Sequence, residues 1–122
     1  MNLAKSKKIL KINRGEIWLA NLNPGKGTEP SKTRPVLVVQ TQSLLEVEHP
    51  STLIIPLTTR LVDRAEPLRL RIKKHNDLKQ DSDLLIDQLR AIDNQRLTAG
   101  PLLTVSADFM RSVVQAITEL IT

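Results

Sequence analysis

The sequence contains no cysteine and no tyrosine, and Trp18 and Phe109 are its only Phe, Trp or Tyr residues. Without thiols it can form neither disulfides nor thiolate metal sites, which suits a reducing, cytoplasmic setting. With so few rings, a surface that stacks successive bases is disfavoured. Any nucleic-acid contact must come from Arg, Lys, hydroxyls and backbone amides. His49 and His75 stand far apart and lack ligand spacing, so no metal and no other cofactor is expected. No apolar run approaches the roughly 20 residues of a membrane-spanning helix, and no secretory signal is visible, so no membrane attachment is expected.

What is abundant is positive charge. The net charge is +5 and the pI about 9.9. That balance favours a polyanionic partner such as nucleic acid, bound through counterion release, and it equally serves solubility. A chain of 122 residues fits one domain with a modest core. Residues 1–13, with Lys5, Lys7, Lys8 and Lys11, read as a basic N-terminal arm, and residues 14–122 as the domain.

Short apolar segments predict a mainly β fold. Glu16–Leu22 reads as a strand. Pro35–Gln40 is apolar on successive residues, as in a strand buried on both faces. Gln42–Ser51 reads as a connection with one helical turn. Thr52–Thr58 reads as a third strand, with Pro56 at an edge or bulge. Pro67–Ile72 alternates, predicting Leu68, Leu70 and Ile72 inward and Arg69 and Arg71 outward. Lys73–Asp83 reads as a polar connection. Leu84–Ile92 is apolar but carries Asp87 and Gln88 in its middle. Asn94–Leu97 reads as a short helical turn, followed by a break at Gly100-Pro101. Ser106–Ile121 is the clearest helix. Ser106 suits the N-cap and Asp108 the positive dipole end, while Met110, Val113, Val114, Ile117, Leu120 and Ile121 form an apolar stripe. Without a parallel βαβ rhythm, the sheet is expected to be antiparallel.

Three places carry polar groups worth chemical attention. Asn23–Pro35 (NPGKGTEPSKTRP) is longer than the roughly two to five residues usual between adjacent strands, and such loops are often functional. It holds Glu29 and ends in Arg34, which Pro35 biases toward extended backbone. A guanidinium there can hold a phosphate with its planar fork. Thr58, Thr59 and Arg60 close the third strand. Asp87 and Gln88 interrupt an apolar segment, where a carboxylate would need a partner. Each also has a plain structural account: a surface ion pair, strand propensity, and a carboxylate bonding loop amides.

Arg14–Gln40 (RGEIWLANLNPGKGTEPSKTRPVLVVQ), Ile54–Thr59 (IIPLTT) and Leu84–Asp93 (LLIDQLRAID), followed by the C-terminal helix, resemble the MazF/PemK (Kid) family of toxins from bacterial type II toxin–antitoxin modules. The resemblance covers about residues 14–121, with the motifs in the same order and at compatible spacing. It implies a small SH3-like antiparallel β-barrel with a C-terminal α-helix. It also implies a homodimeric toxin that cuts single-stranded RNA without a metal, by 2′-OH attack on the adjacent phosphate. The products would be a 2′,3′-cyclic phosphate and a 5′-OH.

By the same resemblance Arg34 matches the key arginine, Glu29 the loop glutamate and Thr58 the strand-end threonine. Asp87 matches an aspartate implicated in the Kid branch. Lys26, Thr28, Lys32, Thr59, Arg60 and Gln88 are the accompanying RNA-binding candidates. A cognate antitoxin would block the groove, and operator DNA would be met only through the antitoxin complex.

Two departures stand out. The Kid branch has an arginine where this sequence has Leu85, and a histidine where it has Thr28. Its acid–base assignment therefore does not transfer, and Glu29 and Asp87 both remain possible bases. Loops Ser43–Ser51, Thr59–Glu66 and Lys73–Asp83 are the candidate readers of RNA sequence. The alternative is a toxin on the same fold that does not cut RNA: a gyrase poison, or a degenerate member that binds antitoxin or DNA. Gyrase poisons use a Trp-Gly-Ile ending, where this sequence reads Glu-Leu-Ile-Thr.

Overall fold

Alternation along three strands sets the architecture, because successive side chains point to opposite sheet faces. A computed structural model describes residues 10–29 and 32–122. The strands are β1 (Glu16–Asn21), β2 (Thr33–Val38), β3 (Ser51–Thr58), β4 (Arg69–Ile72), β5 (Ser82–Leu85), β6 (Arg90–Asp93) and β7 (Leu97–Thr104). Ile17, Leu37, Ile55 and Leu57 face a core completed by Met110, Val113 and Ala116 of the C-terminal helix. Trp18, Ala20, Val36, Val38 and Ile54 face a second core with Ile92 and Leu97. Both faces of β2 are thus covered, which is why the residues from Pro35 to Val39 are all apolar.

All the ladders are antiparallel, and the strands run in the order β4-β5-β3-β2-β1-β7, with β6 also paired to β3. The backbone amide of Asp77, beyond β4, donates to the Leu102 carbonyl of β7 at 3.1 Å. That bond ties the segment after β4 to the strand at the other end of the path. Helix α1 (Gln42–Glu46) supplies the turn expected in Gln42–Ser51. Helix α2 (Ala107–Ile121) begins as expected, with the Ser106 hydroxyl accepting from the Phe109 amide at 3.0 Å. Its inner face is narrower than the stripe read from sequence: Val114, Leu120 and Ile121 are exposed, and Ala116 takes a core position instead.

Several sequence expectations are corrected. Gly100-Pro101 does not break the chain but lies inside β7. The β1–β7 register slips there, between Ile17↔Leu103 and Leu19↔Ala99, so the extra residues bulge and Pro101 need not donate to the ladder. As expected, Pro56 has a ladder partner on one side only, a local edge within β3. It pairs with Val36 where β3 changes its other neighbour from β6 to β5. Leu68 is 46% exposed rather than inward, because the amides of Leu68 and Arg69 still bond the Ala65 carbonyl in a turn. Arg69 and Arg71 do not simply face solvent but converge on Asp83.

Leu84–Ile92 is two strands separated by a 3-10 turn, Ile86–Gln88. That turn keeps Ile86 in the core and puts Asp87 on the surface, so Asp87 is not a buried carboxylate. The first nine residues of the basic arm lie outside the described residues. Of the remainder, Ile12 is buried and Leu10 packs against the second core.

Candidate nucleic-acid interface

Arg34 and Thr58 are brought together by the β2–β3 ladder. The pairs Val38↔Ile54, Leu37↔Ile55 and Val36↔Pro56 define its register, and two residues further on Arg34 stands opposite Thr58. By the strand period both lie on the face of Val36 and Ile54, away from α2. There they share a groove of about 340 Å³ with Lys32, Thr33, Pro35, Leu57, Thr59, Arg60 and Ser82. Among these lining residues the charged ones, Lys32, Arg34 and Arg60, are all cations, and four carry hydroxyls. Such a surface suits a phosphodiester.

Arg34 is held rather than waving. Its Nη1 donates to the Leu57 carbonyl at 3.1 Å, and the residue is half-buried. Burial lowers its pKa from the ordinary arginine value, yet it remains a cation at neutral pH. The Thr58 hydroxyl accepts from the Arg60 amide at 3.2 Å, which turns the chain at the groove edge and leaves the hydroxyl proton available to a phosphate oxygen.

The loop after β1 is fastened at its base. The Leu22 amide donates to the Lys32 carbonyl at 2.9 Å, and the Lys32 amide to Asn23 Oδ1 at 2.8 Å. Arg96 Nη1 donates to the carbonyls of Asn21 at 3.0 Å and Asn23 at 2.5 Å. These bonds hold Lys32 in a left-handed conformation (φ +70°) that is unusual outside glycine, immediately before the groove wall. Further out, the Glu29 amide closes a turn on the Lys26 carbonyl at 2.8 Å, with Gly27 supplying a positive φ.

The groove therefore gathers Arg34, Thr58, Lys32, Thr59 and Arg60 from the sequence candidates. Lys26, Thr28 and Glu29 are exposed on the loop outside its lining, and Asp87 and Gln88 sit on the 3-10 turn. Sequence reasoning did not single out Thr33 and Ser82. It also missed Asp83, a carboxylate more deeply buried than that of Glu16. The Asp83 side chain is 1% exposed and binds Arg71 Nε at 2.6 Å, the Val62 amide at 2.9 Å and Arg69 Nη1 at 3.3 Å. Burial by itself would raise the Asp83 carboxyl. The bonds from Arg71, the Val62 amide and Arg69 outweigh it and hold the carboxyl below its ordinary value. The one signal for Asp83 was its place immediately before an apolar run, downstream of an alternating Arg-Leu-Arg strand. Among the described residues, no three His, Asp or Glu side chains form a metal-binding group, and no helix is long and apolar enough to cross a membrane.

Residues 13–121 match the family of PemK-like, MazF-like toxins of type II toxin–antitoxin systems. The chain belongs to that family. Its antiparallel sheet with a C-terminal helix is the MazF fold. MazF of Deinococcus radiodurans superposes with a TM-score of 0.77 at 22% identity, covering 93% of this chain and 98% of that one. In the MazE-MazF complex from the same organism the TM-score is 0.70 at 19% identity, with coverage of 93% and 97%. An endoribonuclease in complex with its cognate antitoxin, from Mycobacterial species, gives 0.67 at 15% identity, with coverage of 93% and 95%.

Proposed function

We propose that this toxin is an endoribonuclease that cuts single-stranded RNA at the Arg34–Thr58 groove and so inhibits translation and growth. The observation that carries the reading is that groove, where a fixed guanidinium and a strand-end hydroxyl share a cationic, hydroxyl-lined cleft. Membership of the toxin family supports it, as does the likeness in fold to an endoribonuclease.

In the proposed reaction the ribose 2′-OH attacks the adjacent phosphorus. Its proton goes to a carboxylate, and the P–O5′ bond breaks. The products are a 2′,3′-cyclic phosphate and a 5′-OH, whose oxygen takes up a proton from water. Arg34 stabilises the charge of the phosphorane, its permanent cation being better suited to that than to giving up a proton. Thr58 donates to a non-bridging oxygen. Lys32, Thr59 and Arg60 hold the flanking phosphates, with Lys26, Thr28 and Gln88 as outer contacts. Glu29 and Asp87 are the two candidate bases. Both lie outside the groove lining, so the RNA or the Glu29 loop has to close the distance. The partners proposed are a cognate antitoxin that covers this face and a second copy of the chain, with operator DNA bound only through the antitoxin complex. Incubation with long RNA in excess EDTA tests the activity. Discrete cleavage by the wild-type chain and none by Arg34→Ala is the expected result, and intact RNA contradicts it.

A further inference from the structure

The rim of the groove continues from Thr58 through Arg60 into a loop with little packing of its own. Leu61, Val62, Asp63 and Arg64 are all exposed, so no core burial fixes their position. Polar ties do so instead, and they meet at one carboxylate. Asp83 lies directly across the β3–β5 ladder from Thr58. Its Oδ2 accepts from the Val62 amide at 2.9 Å and from Arg69 Nη1 at 3.3 Å, and its Oδ1 from Arg71 Nε at 2.6 Å. The same Arg69 Nη1 donates to the Arg60 carbonyl at 2.6 Å, and Arg71 Nη2 to Asp63 Oδ1 at 2.8 Å. Each of Arg60, Val62 and Asp63 is thus bonded either to Asp83 or to an arginine that Asp83 holds. Without the carboxylate, two neighbouring guanidinium groups on β4 would repel and lose the geometry that reaches the loop.

We propose that Asp83 is a positioning residue for the RNA groove: through Val62, Arg69 and Arg71 it fixes the Thr58–Arg60 rim, and so sets substrate affinity and the choice of cut site. The inference rests on the reading of the groove as an RNA site. Asp83 touches no reacting atom. Its neighbour Ser82 lines the groove, so the strand that carries the tether also forms part of the wall.

Two kinds of measurement test this separately. Amide exchange reads the tether without RNA. In Asp83→Asn the Val62 amide exchanges about tenfold faster or more, while β2 and β3 amides keep their protection. Unchanged exchange at Val62 overturns the tether. Steady-state cleavage of an oligonucleotide carrying one mapped site reads the consequence. Asp83→Asn raises KM about tenfold with kcat within about threefold of wild type, and end-mapping on long RNA shows a broader set of cut sites. Arg69→Met, which leaves Asp83 and Arg71 paired, moves KM and the cut sites in the same direction. It decides the matter if Asp83→Asn does not fold. Wild-type KM and an unchanged cut-site set in the folded variants, or a fall in kcat alone, overturn the proposal. Failure of the groove reading looks different. There the wild-type chain leaves RNA intact, or Arg34→Ala cuts as well as wild type, whatever Val62 does.

Discussion

Arg34 Nη1 donates to the Leu57 carbonyl at 3.1 Å, one residue before Thr58 on the neighbouring strand. The bond fixes one arm of the guanidinium on the backbone of the strand that presents the threonine. A guanidinium fixed in advance loses little entropy when a phosphate arrives, and it needs no reorganisation as charge builds on the phosphorane. Arg34→Ala is expected to lower kcat about 10²–10³-fold, with only a small loss of stability. Arg34→Lys keeps the charge but not the fork, and should recover no more than about tenfold of that loss. Single-turnover cleavage, with denaturant unfolding as the fold control, measures both.

Lys32 and Arg60 line the groove with Arg34, and the proposed reaction has them holding phosphates rather than reading bases. RNA affinity should therefore fall with salt. Removing one such contact, as in Arg60→Gln, should reduce the slope of log K against log salt by about 0.7. Fluorescence anisotropy of a labelled single strand at several salt concentrations checks this. A slope that does not change in Arg60→Gln would remove Arg60 from the phosphate track.

The Asp83 network also predicts a response to acid. The folded chain holds this carboxyl below its ordinary value, so between the folded and unfolded values the unfolded chain binds the extra proton. The stabilisation is complete above the unfolded value of about 3.9 and is lost as pH falls through the folded one. Urea unfolding of wild type and Asp83→Asn should therefore differ most at neutral pH and converge as pH drops below about 4. A gap that widens in acid would contradict the assignment.

Gly100 permits a close packing contact. A Cβ added there would lie 2.5 Å from the ring of Trp18, which is itself buried and donates from Nε1 to Glu16 Oε1 at 3.0 Å. Gly100→Ala should cost about 1–3 kcal/mol by displacing the indole from the second core. Thermal unfolding measures the loss, and the Trp18 fluorescence reports the displacement.

Legibility in the sequence followed the range of the physics involved. β1, β2, β3 and α2 were readable because the short apolar runs of the strands, the apolar stripe of the helix and the Ser106 cap are local signals. β7 was not, because Gly100 and Pro101 normally mark a break, and here a bulge against Trp18 absorbs them. Leu84–Ile92 carried no period that could reveal a 3-10 turn, so Asp87 was read as interrupting a strand when the turn takes it to the surface. Asp83 was hidden at the end of a charged stretch, since its partners come from positions 62, 69 and 71 and meet it only once β4, β5 and the rim loop assemble. Arg34 and Thr58 could be picked by residue type, strand position and family resemblance. That they share one groove follows from the β2–β3 register.

The most direct test is the chemistry of the cut ends. RNA treated with the wild-type chain in excess EDTA should carry 2′,3′-cyclic phosphates and 5′-hydroxyls at a reproducible short motif, and Arg34→Ala should leave the same RNA whole. Intact RNA with the wild-type chain, or equal cutting by Arg34→Ala, would contradict the account.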